Sequence, residues 1–166
     1  MTVKIPIHVG YILDGNRRWA KKHGLPVYEG HLAGYNSLKD IVEATADAGV
    51  KYISFYSWST ENWNRAEEEV RNVFKLVRRL FKTDIKELRD NGFRLVVLGG
   101  RDRLPSDICE MISEAEEISA HGERATLVMC FNYGGQSEIV RAASRLITDR
   151  GRLTAVEQMS HGEEIT

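Results

Sequence analysis

Four stretches of the chain are almost wholly apolar and short enough to be strands: Ile7–Leu13, Tyr52–Tyr56, Phe93–Leu98 and Ala125–Phe131. They run as near-continuous apolar segments without strict alternation, which predicts strands of a parallel sheet covered on both faces. Between them, apolar positions recur at helical spacing. Leu38, Ile41, Val42 and Thr45 form one stripe, ended by Gly49 where a C-terminal cap belongs. Val70, Val73, Phe74, Val77, Leu80, Phe81, Ile85 and Leu88 predict one helix of about five turns, with Gly92 as its stop. Ile108, Met111, Ile112, Ala115 and Ile118 form a third stripe after Pro105 and before Gly122, and Ser137–Ile147 reads as a last helix. Strand and helix alternate throughout. The predicted class is α/β, with a mainly parallel central sheet surrounded by helices.

Ligands of such sheets bind beyond the carboxyl ends of the strands, and two chemically loaded segments fall there. The first is ILDGNRRWAKKHG, Ile12–Gly24. Asp14 ends an apolar strand, Gly15 allows close backbone approach, and the next helix begins near Asn16–Arg18. A helix N-terminus beside Arg17 and Arg18 suits phosphate. A lone carboxylate repels phosphate, so Asp14 needs a reason. A divalent cation supplies one, since magnesium is typically held by one or two carboxylates plus substrate phosphates. The residues admit a plainer reading as well, with Asp14 capping the helix and the arginines solvated. Phosphoaspartate chemistry is disfavoured, because the position two residues on, where a second acid is needed, is Asn16.

The second segment is Ser57–Arg65 within FYSWSTENWNRAEEEV. It gathers Ser59, Thr60, Glu61, Asn62, Trp63 and Arg65, more chemistry than a connector requires. Its plainer reading is a helix cap with buried tryptophans. His31, in EGHLAG, carries little weight alone.

The chain has 166 residues, 42% hydrophobic and 28% charged, with a net charge of −1. That length suits a single domain with a real core. The balance offers no overall attraction for nucleic acid or anionic membrane, so anion binding must be local. Cys109 and Cys130 lack metal-ligand spacing and read as buried free thiols in a reducing cytoplasm. The opening MTVKIPIHVG lacks a secretory h-region, and no run reaches the roughly 18 apolar residues of a membrane span.

HVGYILDGNRRWAKKHG from His8, GHLAG from Gly30, FYSWSTENWNR from Phe55 and FNYGGQSEIV from Phe131 together resemble the cis-prenyltransferases, the undecaprenyl diphosphate synthase family. The resemblance implies condensation of isopentenyl diphosphate with an allylic diphosphate such as farnesyl diphosphate, making polyprenyl diphosphate with cis double bonds. It implies magnesium (Mg2+), a homodimer or a pair of related subunits, a hydrophobic tunnel, and peripheral membrane contact through the lipid product. By matching position it makes Asp14 the magnesium-linked aspartate. Gly15, Asn16, Arg17, Arg18 and Trp19 become the allylic diphosphate loop, and His31 a further phosphate-side residue. Ser59, Thr60, Glu61, Trp63 and Arg65 fall on a second substrate loop, with Glu69 in the same region. Asn62 takes the position often assigned as proton acceptor. A neutral amide is a poor base, so it is expected to orient groups while a phosphate oxygen takes the proton. Ile118 matches a tunnel-end position as well as it does an ordinary core residue.

Two departures from the family pattern stand out. Val27 replaces an arginine four residues before His31, which predicts weaker allylic binding or a changed preference. The family's later R-T-G-G-E-x-R-x-S segment, which supplies the isopentenyl diphosphate site, has no counterpart. Residues 1–166 therefore read as one domain truncated at its C-terminal end. The alternative is a non-catalytic or partial subunit that binds allylic diphosphate and needs a partner to complete the site.

Overall fold

The computed structural model describes residues 4–160, so the C-terminal point at which truncation is read lies outside the described residues. In chain order the elements are β1 (His8–Ile12), α1 (Asn16–Lys22), α2 (Val27–Asp47), β2 (Tyr52–Ser59), a 3-10 turn (Thr60–Asn64) and α3 (Glu67–Arg79). A π-helical turn (Leu80–Asp84), α4 (Ile85–Asp90), β3 (Phe93–Leu98), α5 (Ser106–Ile118), β4 (Ala125–Tyr133) and α6 (Gly135–Ser160) follow. The strands form one sheet in the order β1-β2-β4-β3, and every pairing is parallel. His8 lies opposite Tyr52, Tyr52 opposite Thr126, and Ala125 opposite Phe93. The expected fold class is the observed one.

Burial alternates along the strands. Ile53, Phe55 and Trp58 of β2, Leu95 and Val97 of β3, and Leu127, Met129 and Phe131 of β4 are buried on one face. They pack against Leu38, Val42 and Ala46 of α2, Phe74 and Val77 of α3, and Ile108, Ile112 and Ala115 of α5. The alternate positions, among them Tyr52, Val96, Leu98, Val128 and Cys130, are half-buried or exposed. The strands were expected to be covered on both faces. Among the described residues the helices cover one, and the apolar side chains of the other made the runs look continuous.

β3 is an edge strand whose outward amides are satisfied by side chains. Leu95 N–H donates to Ser119 Oγ at 3.0 Å, and Val97 N–H to Glu116 Oε1 at 2.7 Å. α5 thereby caps an edge that another chain could otherwise extend.

Three helices differ from the sequence pattern. The inward face of α2 is Leu38, Val42 and Ala46, whereas Ile41 is exposed. The stripe from Val70 to Leu88 is broken by the π-helical turn, because apolar side chains three and four apart fit either helical form. α6 runs beyond Ser137–Ile147 at both ends. Both cysteines are free thiols but only partly buried. No helix among the described residues is long and apolar enough to cross a membrane.

Candidate active site

α1 is pressed onto α2 at two glycines. A methyl group on Gly30 would lie 2.2 Å from the Asn16 carbonyl oxygen, and one on Gly34 would lie 2.3 Å from the Asn16 side-chain oxygen. Only residues without a Cβ admit this approach. The start of α1 is thus clamped below the exit of β1. Gly15 caps the helix with φ 90° and no side-chain capping bond. Asp14 is not the helix cap of the plainer reading: its carboxylate accepts the Gly15 N–H and pairs with Arg18 Nη2 at 3.0 Å. Trp19 lies on the outer side of α1, stacked on His23 at 4.3 Å between ring centres.

The second segment is less of a loop than expected, because β2 continues through Ser59. Asn62 Oδ1 accepts the Ser59 N–H at 3.1 Å, and the Ser59 side chain accepts from the Asn62 backbone. This reciprocal cap matches the plainer reading and fixes which end of the Asn62 amide is engaged. Thr60 Oγ1 donates to Glu61 Oε1 at 3.1 Å. The Ser59 hydroxyl, then the backbone and Thr60, hold the exposed Glu61 carboxyl below its usual range.

Trp63 packs edge-on to Trp58, at 5.7 Å, and beneath the Arg103 guanidinium, at 4.8 Å. Its indole N–H donates to Asn132 Oδ1 at 2.8 Å. Asn132 is buried, and its φ of 50° is unusual for a residue with a side chain. Its amide nitrogen also donates to the carbonyls of Gly100, at 2.9 Å, and Asp102, at 2.7 Å. One asparagine at the end of β4 ties together the turn after β2 and the loop after β3. Residue-level reasoning passed over it, although FNYGG offered a signal: a polar residue at a strand end before two glycines.

His31 on α2 and Glu69 on α3 bring the helices together at the same edge. The carboxylate of Glu69 pairs with Arg65 Nη1 at 2.7 Å and Arg17 Nη1 at 3.8 Å. His31 Nε2 lies 3.7 Å away, too far for a hydrogen bond, and is buried without a partner. Burial lowers the His31 pKa and Arg65 and Arg17 act the same way, while Glu69 opposes them. Three basic groups thus surround one carboxylate.

These elements bound a cavity of about 700 Å³ between α2, α3 and the buried sheet face. Asp14, Gly15, Asn16, Arg17, Arg18, His31, Ser59, Asn62 and Arg65 all line it. Its body is lined by Leu38, Val42, Phe55, Val77, Leu80 and Phe93. Trp19, Thr60, Glu61 and Trp63 lie off this lining, as does Ile118. Val27 borders a smaller neighbouring cavity of about 250 Å³ with His31, Glu68 and Glu69.

Among the described residues, no three His, Cys, Asp or Glu side chains converge as a metal cage. Asp14 is a single carboxylate, 77% exposed and paired with Arg18. That donor set fits a magnesium ion taking one protein oxygen and its others from phosphate and water.

A family model described as "Putative undecaprenyl diphosphate synthase" matches residues 12–165. Isoprenyl transferase 2 of Bradyrhizobium diazoefficiens is 43% identical over 141 residues, 85% of this chain and 56% of that one. The trans,polycis-polyprenyl diphosphate synthase ((2Z,6E)-farnesyl diphosphate specific) of Thermobifida fusca is 43% identical over 152 residues, 90% of this chain and 54% of that one. The chain therefore spans little more than half the length of these two relatives. Lavandulyl diphosphate synthase from Lavandula x intermedia, in complex with dimethylallyl diphosphate, superimposes with a TM-score of 0.85 at 31% identity. That match covers 89% of this chain and 64% of the other.

Proposed function

The chain belongs to the undecaprenyl diphosphate synthase family of prenyltransferases, and on that premise we propose that its cavity binds an allylic diphosphate for elongation by isopentenyl diphosphate. The observation that carries this is one cavity with two chemistries. A rim bearing Asp14, Arg17, Arg18, His31 and Arg65 opens into an apolar slot, matching a diphosphate joined to a hydrocarbon tail.

In this reading the guanidinium groups of Arg17, Arg18 and Arg65 hold the diphosphate oxygens through paired donors. They stabilise the charge that grows there as the allylic C–O bond breaks. Magnesium, when bound through Asp14, adds further neutralisation of that charge. The isopentenyl double bond forms the new C–C bond, a proton leaves the adjacent carbon, and the new double bond is cis. The oxygen of Asn62 already accepts from Ser59, so its NH2 group is the end left to orient a substrate. A phosphate oxygen receives the proton. The apolar slot excludes water from the reacting carbon.

The active assembly is proposed to be a homodimer or a pair with a related subunit, working in the cytoplasm and meeting membrane through its lipid product. The test is incubation with farnesyl diphosphate, labelled isopentenyl diphosphate and magnesium. Extended product lost on magnesium removal is the expected result. Tight farnesyl diphosphate binding without extension would favour the partial-subunit alternative. No binding above that of inorganic diphosphate would overturn the proposal.

A further inference from the structure

The outward side of α1 carries more positive charge than a diphosphate rim uses. At about 100° per residue, Asn16 and Ala20 fall on one side of the helix, where Ala20 is buried and Asn16 meets Gly30 and Gly34 of α2. Arg17, Arg18, Lys21 and Lys22 fall on the opposite side, and all four are exposed. The helix holds no acidic residue, in a chain whose net charge is −1. Arg18 is paired with Asp14 and Arg17 with Glu69, whereas Lys21 and Lys22 make no ion pair among the described residues. Two exposed apolar side chains flank these lysines. Trp19 borders the basic side, and Leu25 is turned back to the helix end by a Schellman cap. The Leu25 N–H donates to the Ala20 carbonyl at 2.9 Å, and that of Gly24, at φ 66°, to the Lys21 carbonyl at 3.2 Å.

We propose that α1 and its cap, Trp19 to Leu25, form a docking surface for an anionic membrane leaflet. The lysines attract anionic headgroups, and tryptophan is a side chain that settles where headgroups meet acyl chains. Binding at such a boundary grows with buried apolar area and with attraction to anionic lipid, and this surface offers both. A nucleic acid or an acidic protein would use the charge but has no need of an exposed leucine beside it. The surface also adjoins the cavity mouth, because Arg17 and Arg18 line the rim from the helix that carries Trp19. A prenyl diphosphate leaving the slot would emerge beside the leaflet that receives it. Acidic residues bound the surface, so contact ends at Leu25: Glu29 is exposed at the start of α2, and Val27 borders a cavity with Glu68 and Glu69. The inference rests on the prenyl-transfer reading above and adds that the polypeptide itself, as well as its product, meets the membrane.

The test is sedimentation of the full chain with vesicles of phosphatidylcholine alone and of phosphatidylcholine mixed with phosphatidylglycerol. Binding is expected to the anionic vesicles only, and it should weaken as salt rises. Replacing both lysines, Lys21→Gln with Lys22→Gln, should weaken it roughly thirtyfold. Leu25→Ser should weaken it roughly tenfold, a loss that persists as salt rises and that charge attraction alone would not show. Both variants should bind farnesyl diphosphate with magnesium as the wild type does, which also reports that they fold. Equal binding to the two vesicles, binding to neither, or unchanged vesicle affinity in either variant would overturn the docking surface alone. So would binding to a DNA duplex in place of vesicles, or loss of farnesyl diphosphate binding in the lysine variant. If the wild type binds farnesyl diphosphate no better than inorganic diphosphate, the prenyl-transfer reading falls and takes this inference with it.

Discussion

Asp14 sits where the fold asks nothing of it. Its partners are a neighbouring N–H and the exposed Arg18. Asp14→Ala is expected to leave stability within about 0.5 kcal/mol while removing magnesium-dependent diphosphate binding. Thermal unfolding beside a diphosphate titration checks both halves, and full affinity in the variant would count against the metal role. His31 behaves differently because it is half-buried. With its pKa lowered from 6.5, the folded ring stays neutral where the unfolded chain takes up a proton. The unfolded state then binds more protons, so stability falls as pH drops through 6.5. Denaturant midpoints across that window should be flatter for His31→Gln than for the wild type. At this scale the sequence spoke clearly about Asp14, Arg17 and Arg18, which are neighbours in the chain. It was silent on His31, Arg65 and Glu69 meeting, since two helices must cross to join them.

At the scale of elements, the glycine contacts between α1 and α2 decide where the diphosphate rim stands. Gly30→Ala drives a methyl group at a backbone carbonyl, which cannot swing aside, and is expected to cost about 1–3 kcal/mol. It should also weaken diphosphate binding, because the start of α1 moves with Asp14. Gly34→Ala meets a side chain instead, and its effect on both measurements should be smaller. Equal losses in the two variants would mean that the approach of α1 does not position the rim. The GHLAG segment was visible in the sequence, but the reason for its glycines was not. Nothing local to a helix demands a glycine four residues after another; the oncoming Asn16 does. The π-helical turn was hidden for a related reason, as its apolar spacing matches that of an unbroken helix.

For the molecule as a whole, function depends on a slot left open inside a packed layer. Val77 lines it and is otherwise buried. Val77→Phe should reduce affinity for farnesyl diphosphate about tenfold or more while leaving inorganic diphosphate unchanged. A variant that loses both equally would show that the slot does not house the tail. Asn132, buried at the end of β4, ties the turn after β2 to the loop after β3 and keeps the Trp63 N–H satisfied. Burial of that kind can be read only once β2, β3 and β4 are side by side.

The chain's own order of apolar and polar residues determined the strands, most of the helices, the parallel class and the pairing of Asp14 with Arg18 after β1. Each of these is a local matter, set by side-chain period and by neighbours a few positions apart. Tertiary structure alone decided that one sheet face is covered, that Glu69 gathers Arg17, His31 and Arg65, and that Tyr35 of α2 meets Asp84 of the π-helical turn. Those outcomes depend on how closely helices approach one another, and Gly30 and Gly34 show that a single absent Cβ can set that distance.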